Sequence, residues 1–124
     1  MANLVNFNKG IINDGGASYN MLTGEFNPNH GFMVSIKGHE KTYNTDKNSF
    51  NYEIADFING KAILLLSGIS ENYDKIFLGG WIDNGLLYLD VSFLVDTETE
   101  AIKMAKDNEQ LAYFNNTNKE TIYI

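Results

Sequence analysis

No cysteine and no arginine occur in this 124-residue chain, and proline occurs once, at Pro28. Without cysteine, neither disulfides nor thiolate metal sites can form. Without arginine, the planar fork that grips phosphate, carboxylate and guanine edges is missing. One proline, with no Pro/Ser-rich stretch, charge block or repeat, leaves nothing to divide the chain. A single domain over residues 1–124 is expected. The longest apolar run, Ala62 to Leu66, falls far short of the roughly 20 residues a bilayer span needs. Residues 1–7 carry neither a charged lead nor a continuous apolar segment, so no secretory signal is expected. A cytoplasmic address in a bacterial host is the default.

What is present is acid. Nine cations, all lysine, face sixteen Asp and Glu, for a net charge of −7. Phosphate neutralisation dominates nucleic-acid affinity, so direct binding to nucleic acid or to an anionic membrane is not expected. The charge suits a basic protein partner. Frequent asparagine and exclusive use of lysine match AT-rich coding, the habit of a low-GC bacterial or phage genome.

The clearest element is a hairpin. Residues 76–82 and 86–94 flank Asp83-Asn84-Gly85, and Asn-Gly is the preferred pair for a two-residue type I′ loop. In that register one face holds Ile76, Leu78, Gly80, Ile82, Leu87, Leu89, Val91 and Phe93, with no polar residue among them. The opposite face holds Phe77, Trp81 and Tyr88 beside Asp83, Asp90 and Ser92. A slip of one residue would invert both sets, so the sorting itself argues for the register.

After the hairpin, Thr97 and Glu100 fit a capping box, and Glu98 and Glu100 lie in the first turn of the helix it opens. That helix ends near Asn108. Residues 111–114 and 121–124 read as strands joined by a turn. Upstream, Phe50, Ile54, Phe57 and Ile58 recur at i, i+4, i+7 and i+8, which predicts a helix over 46–59 with Gly60 as a candidate stop. Residues 62–66 fit a continued helix or a buried strand, with helix favoured. Residues 17–22 and 32–36 read as two strands. The expected fold is α+β, an antiparallel sheet with two helices packed on one face, in the order β-β-α-β-β-α-β-β.

Chemical motifs are scarce. Gly15-Gly16-Ala17-Ser18 lacks the spacing and the following helix of a phosphate loop, and reads as entry into the first strand. His30 and His39 are the only histidines, and no G-x-S-x-G or other local signature joins them to a serine. No metal-ligand spacing appears among the carboxylates, so no catalytic residue, metal or cofactor is assigned. Asp90 stands out as an acid in mid-strand between Leu89 and Val91. Its pairing with Gly79 leaves room for a hydrogen bond or a bound group. The Trp81/Tyr88 pair also has a structural justification, since cross-strand aromatics stabilise a sheet by ~0.2–1 kcal/mol. Aromatics mixed with acids are equally an interface composition.

Three stretches read together carry a resemblance. They are Gly15 to Asn20 through Thr23-Gly24-Glu25 to Gly31–Ile36; Leu78 to Gly85 through Tyr88 to Ser92; and Ala101 to Ala105 through Asn108, Gln110, Leu111 and Ala112. They resemble a group of small, poorly characterised proteins encoded by phages, plasmids and integrated mobile elements, over most of the chain. The resemblance brings no catalytic residues with it. It implies an inhibitor of host defence, of the anti-CRISPR or anti-restriction kind.

The leading expectation is therefore a non-enzymatic inhibitor whose acids occupy the basic nucleic-acid groove of a host nuclease or defence complex. The candidate partner-binding residues are Asp96, Glu98 and Glu100 as a source of charge, with Trp81, Tyr88 and Asp90 as the aromatic hairpin face. Because Leu94 leads straight into Asp96, the two groups are expected to share one surface. Two rivals are a small hydrolase centred on His30 or His39, and a structural or regulatory phage protein that homodimerises through an exposed sheet edge.

Overall fold

The computed structural model describes residues 2–44, 50–67 and 74–124. In order these form helix α1 (Ala2–Asp14), strands β1 (Gly16–Tyr19), β2 (Phe32–Ser35) and β3 (Lys41–Asn44), helix α2 (Phe50–Ser67), strands β4 (Ile76–Asp83) and β5 (Leu86–Val95), helix α3 (Glu98–Asp107), and strands β6 (Ala112–Asn115) and β7 (Glu120–Tyr123). The strands make one curled antiparallel sheet in the order β1-β4-β5-β2-β6-β7, with β3 also paired to β5. The α+β class stands. The expected order and helix count are corrected: α1 opens the described chain, β3 is an added strand, and three helices rather than two lie among the described residues.

The unexpected helix has a physical explanation. Residues 2–14 contain four asparagines and Gly10, all weak helix formers, so local propensity argues against α1. Packing supplies what propensity lacks. Phe7 and Ile11, four residues apart and thus on one face, are both buried. A Cβ at Gly10 would sit 2.9 Å from the Ala17 Cβ, so glycine permits α1 to lie this close to β1. Gly15, at φ +87°, then closes the helix in the left-handed conformation that glycine adopts most readily.

Helix α2 passes through Gly60 and continues to Ser67, so Gly60 does not close it and residues 62–66 take the helical alternative favoured from the sequence. Gly60 is exposed, with nothing near the place a Cβ would occupy. A penalty of about 1 kcal/mol for an exposed helical glycine is too small to end a helix held by its neighbours. Ile54, Phe57 and Ile58 are buried, as their spacing predicts. The expected start at 46–49 lies outside the described residues.

The β4–β5 hairpin has the predicted register throughout, from Ile76↔Phe93 to Asp83↔Leu86, with Asn84 at φ 52° and Gly85 at φ 78° in the loop. Its apolar face packs under the helices. Ile76, Leu78, Leu87, Leu89 and Val91 form one cluster with Phe7 and Ile11 of α1 and Ile54, Phe57 and Ile58 of α2. Ala101 and Ala105 of α3 pack with Val34, Val95 and Tyr113, and Phe93 touches both clusters. All three helices therefore cover the same face. On the other face Met33, Phe77 and Leu94 form a small apolar cluster with Phe114.

The adjacent glycines of β4 serve opposite faces. A Cβ at Gly80 would collide with Ile11 Cδ1 on the helix side, and one at Gly79 would collide with Asp90 Oδ1 on the other. Leu89 sits in the middle of the main cluster and is 1% exposed. Truncation there leaves a cavity that the sheet is too constrained to refill. Leu89→Ala should lower unfolding stability by about 2–5 kcal/mol in urea denaturation, whereas a loss under about 1 kcal/mol would contradict this burial.

Candidate functional site

The face that no described helix covers changes character along its length. Beyond the Met33/Phe77/Leu94 cluster come Ser35 and Ser92, paired across β2 and β5, then Asp90, then Trp81 opposite Tyr88. The Trp81 and Tyr88 rings stack with centroids 5.2 Å apart and planes 7° from parallel. Trp81 is 42% exposed, unusual for the largest aromatic of a small protein, and so presents an open ring.

Asp90 is buried because the ladder breaks beside it. Along one edge β5 pairs continuously with β4. Along the other, β2 pairs with Ser92–Val95, and a last bond from the Ile36 N–H reaches the Val91 carbonyl at 2.9 Å. Continued pairing would set Gly38 opposite Leu89, but Lys41 of β3 stands there. Three residues are thus expelled from the strand path next to Asp90, in the manner of an enlarged β-bulge. The turn is made at Gly38, φ +87°. It is pinned to the end of α3, where Asn108 Oδ1 accepts from the Lys37 N–H at 3.1 Å and Glu109 pairs with the Lys37 ammonium.

The expelled segment leaves a cavity of about 270 Å³. Asp90, Ser35 and Leu89 contribute to it from the sheet, Trp81 and Tyr88 from the hairpin, and Glu40, Lys41, Thr42 and Gln110 from the surrounding chain. The Ser35 hydroxyl donates to Asp90 Oδ2 at 2.5 Å, and the Ser92 hydroxyl reaches Oδ1 at 3.4 Å. Burial pushes the Asp90 carboxyl above the usual 3.8, the two serine hydroxyls pull it back, and the negative charge of Glu40 adds to the rise. Among the described residues no lysine pairs with Asp90. The Lys41 ammonium lies instead over the Tyr43 ring, 5.6 Å from its centre.

Of the six residues expected at an interface, the structure brings Trp81, Tyr88 and Asp90 around one cavity. It sets Asp96, Glu98 and Glu100 apart from them. Eight residues of extended strand separate Tyr88 from Asp96, roughly 26 Å. Both helix-start acids are also engaged at home. Glu98 accepts a 2.7 Å bond from the Tyr113 hydroxyl, and that bond is the main cause of a phenol pushed up to about 12. Glu100 completes the capping box: its N–H donates to Thr97 Oγ1 at 3.2 Å, and that hydroxyl donates to Glu100 Oε1 at 2.8 Å. The charge beside the aromatic pair comes instead from Asp90 and Glu40, with Asp83 on the same face of the hairpin.

The histidines lie elsewhere. His30 is exposed with Nε2 3.6 Å from Glu25 Oε2, and His39 Nδ1 is 3.4 Å from the Lys61 ammonium. Neither lines the cavity with Ser35. Ser35 and Asp90 alone lack the base-and-orienter chain of a nucleophilic triad. A second, wider hollow of about 390 Å³ is lined by Asn8, Lys9, Ile12, Asn13 and Asn51 and has no acid in its lining. No group of three or more His, Asp or Glu among the described residues is placed to hold a metal ion. No helix among them is long and apolar enough to cross a membrane. No protein-family model, curated protein or solved structure matches the chain.

The buried carboxyl gives the site a pH signature. With its folded value raised, Asp90 holds its proton more tightly in the folded state than in the unfolded chain. That contribution is complete below the unfolded value and is lost as pH rises through the folded one. The stability of the native chain relative to Asp90→Asn should therefore decline as pH rises above the ordinary carboxylate range, read from urea denaturation of both proteins. A flat or rising difference would contradict the burial of an ionisable group here.

Proposed function

We propose that the chain is a non-enzymatic binding protein that inhibits a basic partner, in the manner of an anti-CRISPR or other anti-defence protein. The observation behind this reading is the partly exposed Trp81/Tyr88 stack beside the acid-lined cavity, on a face that no described helix covers. Stacked, exposed aromatics are rigid anchors for a protein partner. The net charge of −7 favours encounter with a basic surface, such as the groove in which a nucleic-acid enzyme holds phosphates. An acidic chain seated there excludes the nucleic acid by occupancy. In this reading the hairpin face makes the contact, while Asp96, Glu98 and Glu100 speed encounter from the far end of β5.

The test is affinity capture from a bacterial lysate with the native chain, Trp81→Ala and the double variant Glu98→Gln/Glu100→Gln. A basic nucleic-acid enzyme should be enriched by the native chain and lost with Trp81→Ala, and its activity should be suppressed by the native chain alone. The Gln pair should retain capture but associate more slowly, with a weaker salt dependence. Loss with the Gln pair and retention with Trp81→Ala would move the interface to the start of α3. Direct, salt-sensitive binding of the free chain to DNA or RNA would overturn the reading.

A further inference from the structure

We infer that the cavity over Asp90 is a receptor for a single arginine side chain of the partner, with the guanidinium seated between the Asp90 carboxylate and the Trp81/Tyr88 rings. This rests on the binding role proposed above and names the group that the site would recognise.

Size comes first. At about 270 Å³ the cavity falls just under the ~300–1,000 Å³ of ordinary small-molecule pockets. It is scaled to one long side chain rather than to a nucleotide or cofactor. Charge comes second. A carboxylate taken out of water needs a compensating cation or it stays protonated. Asp90 is 4% exposed, its acidic neighbour Glu40 aggravates the deficit, and the nearest lysine in the lining turns its ammonium toward Tyr43. A cation arriving from outside supplies what the described residues do not.

Geometry then selects between the two basic side chains. A guanidinium is planar, stacks on aromatic faces and offers parallel N–H donors to a carboxylate, whereas an ammonium is a compact, strongly hydrated point charge. The site offers the stacked Trp81 and Tyr88 rings and a carboxylate with two oxygens. Each oxygen keeps a free acceptor position beyond its serine hydroxyl. This chain contains no arginine, so the group has to come from a different protein and not from a second copy.

Trp81 is the only tryptophan, so its fluorescence reports on the cavity wall directly. The experiment titrates the intact chain with N-acetyl-arginine amide, the matching citrulline compound and the matching lysine compound at constant ionic strength. Saturable change is expected with arginine, on the order of millimolar for so small a ligand. The response should be absent with neutral citrulline and weaker with lysine. Asp90→Asn, shown to be folded by circular dichroism, should weaken the arginine response about tenfold by removing the charge-assisted pair. Equal responses to arginine and citrulline, or to arginine and lysine, would overturn the inference without reference to any variant. An unchanged response in folded Asp90→Asn would do the same. Arginine binding without capture of a basic enzyme leaves this site standing and removes the inhibitor reading. Trp81-dependent capture without arginine binding does the reverse.

Discussion

Ten residues of β5 need hydrogen-bond partners on both edges, and only one edge is served by a continuous strand. The other is shared by β2 and β3, which meet β5 end to end with three residues expelled between them. Much of the molecule follows from that division. The break sets Asp90 where no strand lies alongside it on the β2/β3 edge, which is how an acid survives in the interior of a sheet. Gly79 accommodates the carboxylate from the β4 side, since any side chain there would collide with it. Ser35 and Ser92 hold it in one orientation, and α3 fixes the loop that walls it.

The two faces divide the remaining work. Helices α1, α2 and α3 all pack against the apolar face, so the stabilising burial is concentrated on one side. The other face is left with a small apolar cluster at one end and the Asp90 cavity with its aromatic wall at the other. Because Leu89 and Val91 anchor β5 from below, Asp90 between them is held on a rigid strand rather than on a loop. A site built on such an element keeps its geometry when a partner binds.

The hairpin was legible in the sequence because its signals are local and agree with one another. Asn84-Gly85 dictates the turn, and strict alternation from Ile76 to Phe93 dictates the faces. The Thr97/Glu100 cap was legible for the same reason. Helix α1 was not, because asparagines and Gly10 point against a helix and only contacts of Phe7 and Ile11 with a distant hairpin reverse the balance. Gly60, a candidate stop, is overridden by the helix on both sides of it, and the helical alternative for residues 62–66 holds. The site was half legible. Trp81, Tyr88 and Asp90 share a face by parity alone, but Ser35 comes from the neighbouring strand β2 and Glu40 from the expelled segment, and no local pattern announces a bulge of that size. The expected neighbourhood of Asp96 with the aromatic pair failed for a simpler reason: residues contiguous in sequence with a strand's end lie a full strand length from its beginning.

The central claim is that the sheet buries a carboxylate whose missing counter-charge is brought by a partner. Carbon-13 NMR titration of the Asp90 carboxyl tests it most directly, on the free chain and again with N-acetyl-arginine amide at saturation. The account predicts a titration displaced upward from the ordinary carboxylate range in the free chain, and a return toward that range when the arginine side chain occupies the cavity. An Asp90 that titrates like a solvated aspartate in the free chain, or one whose titration is indifferent to arginine, would contradict it.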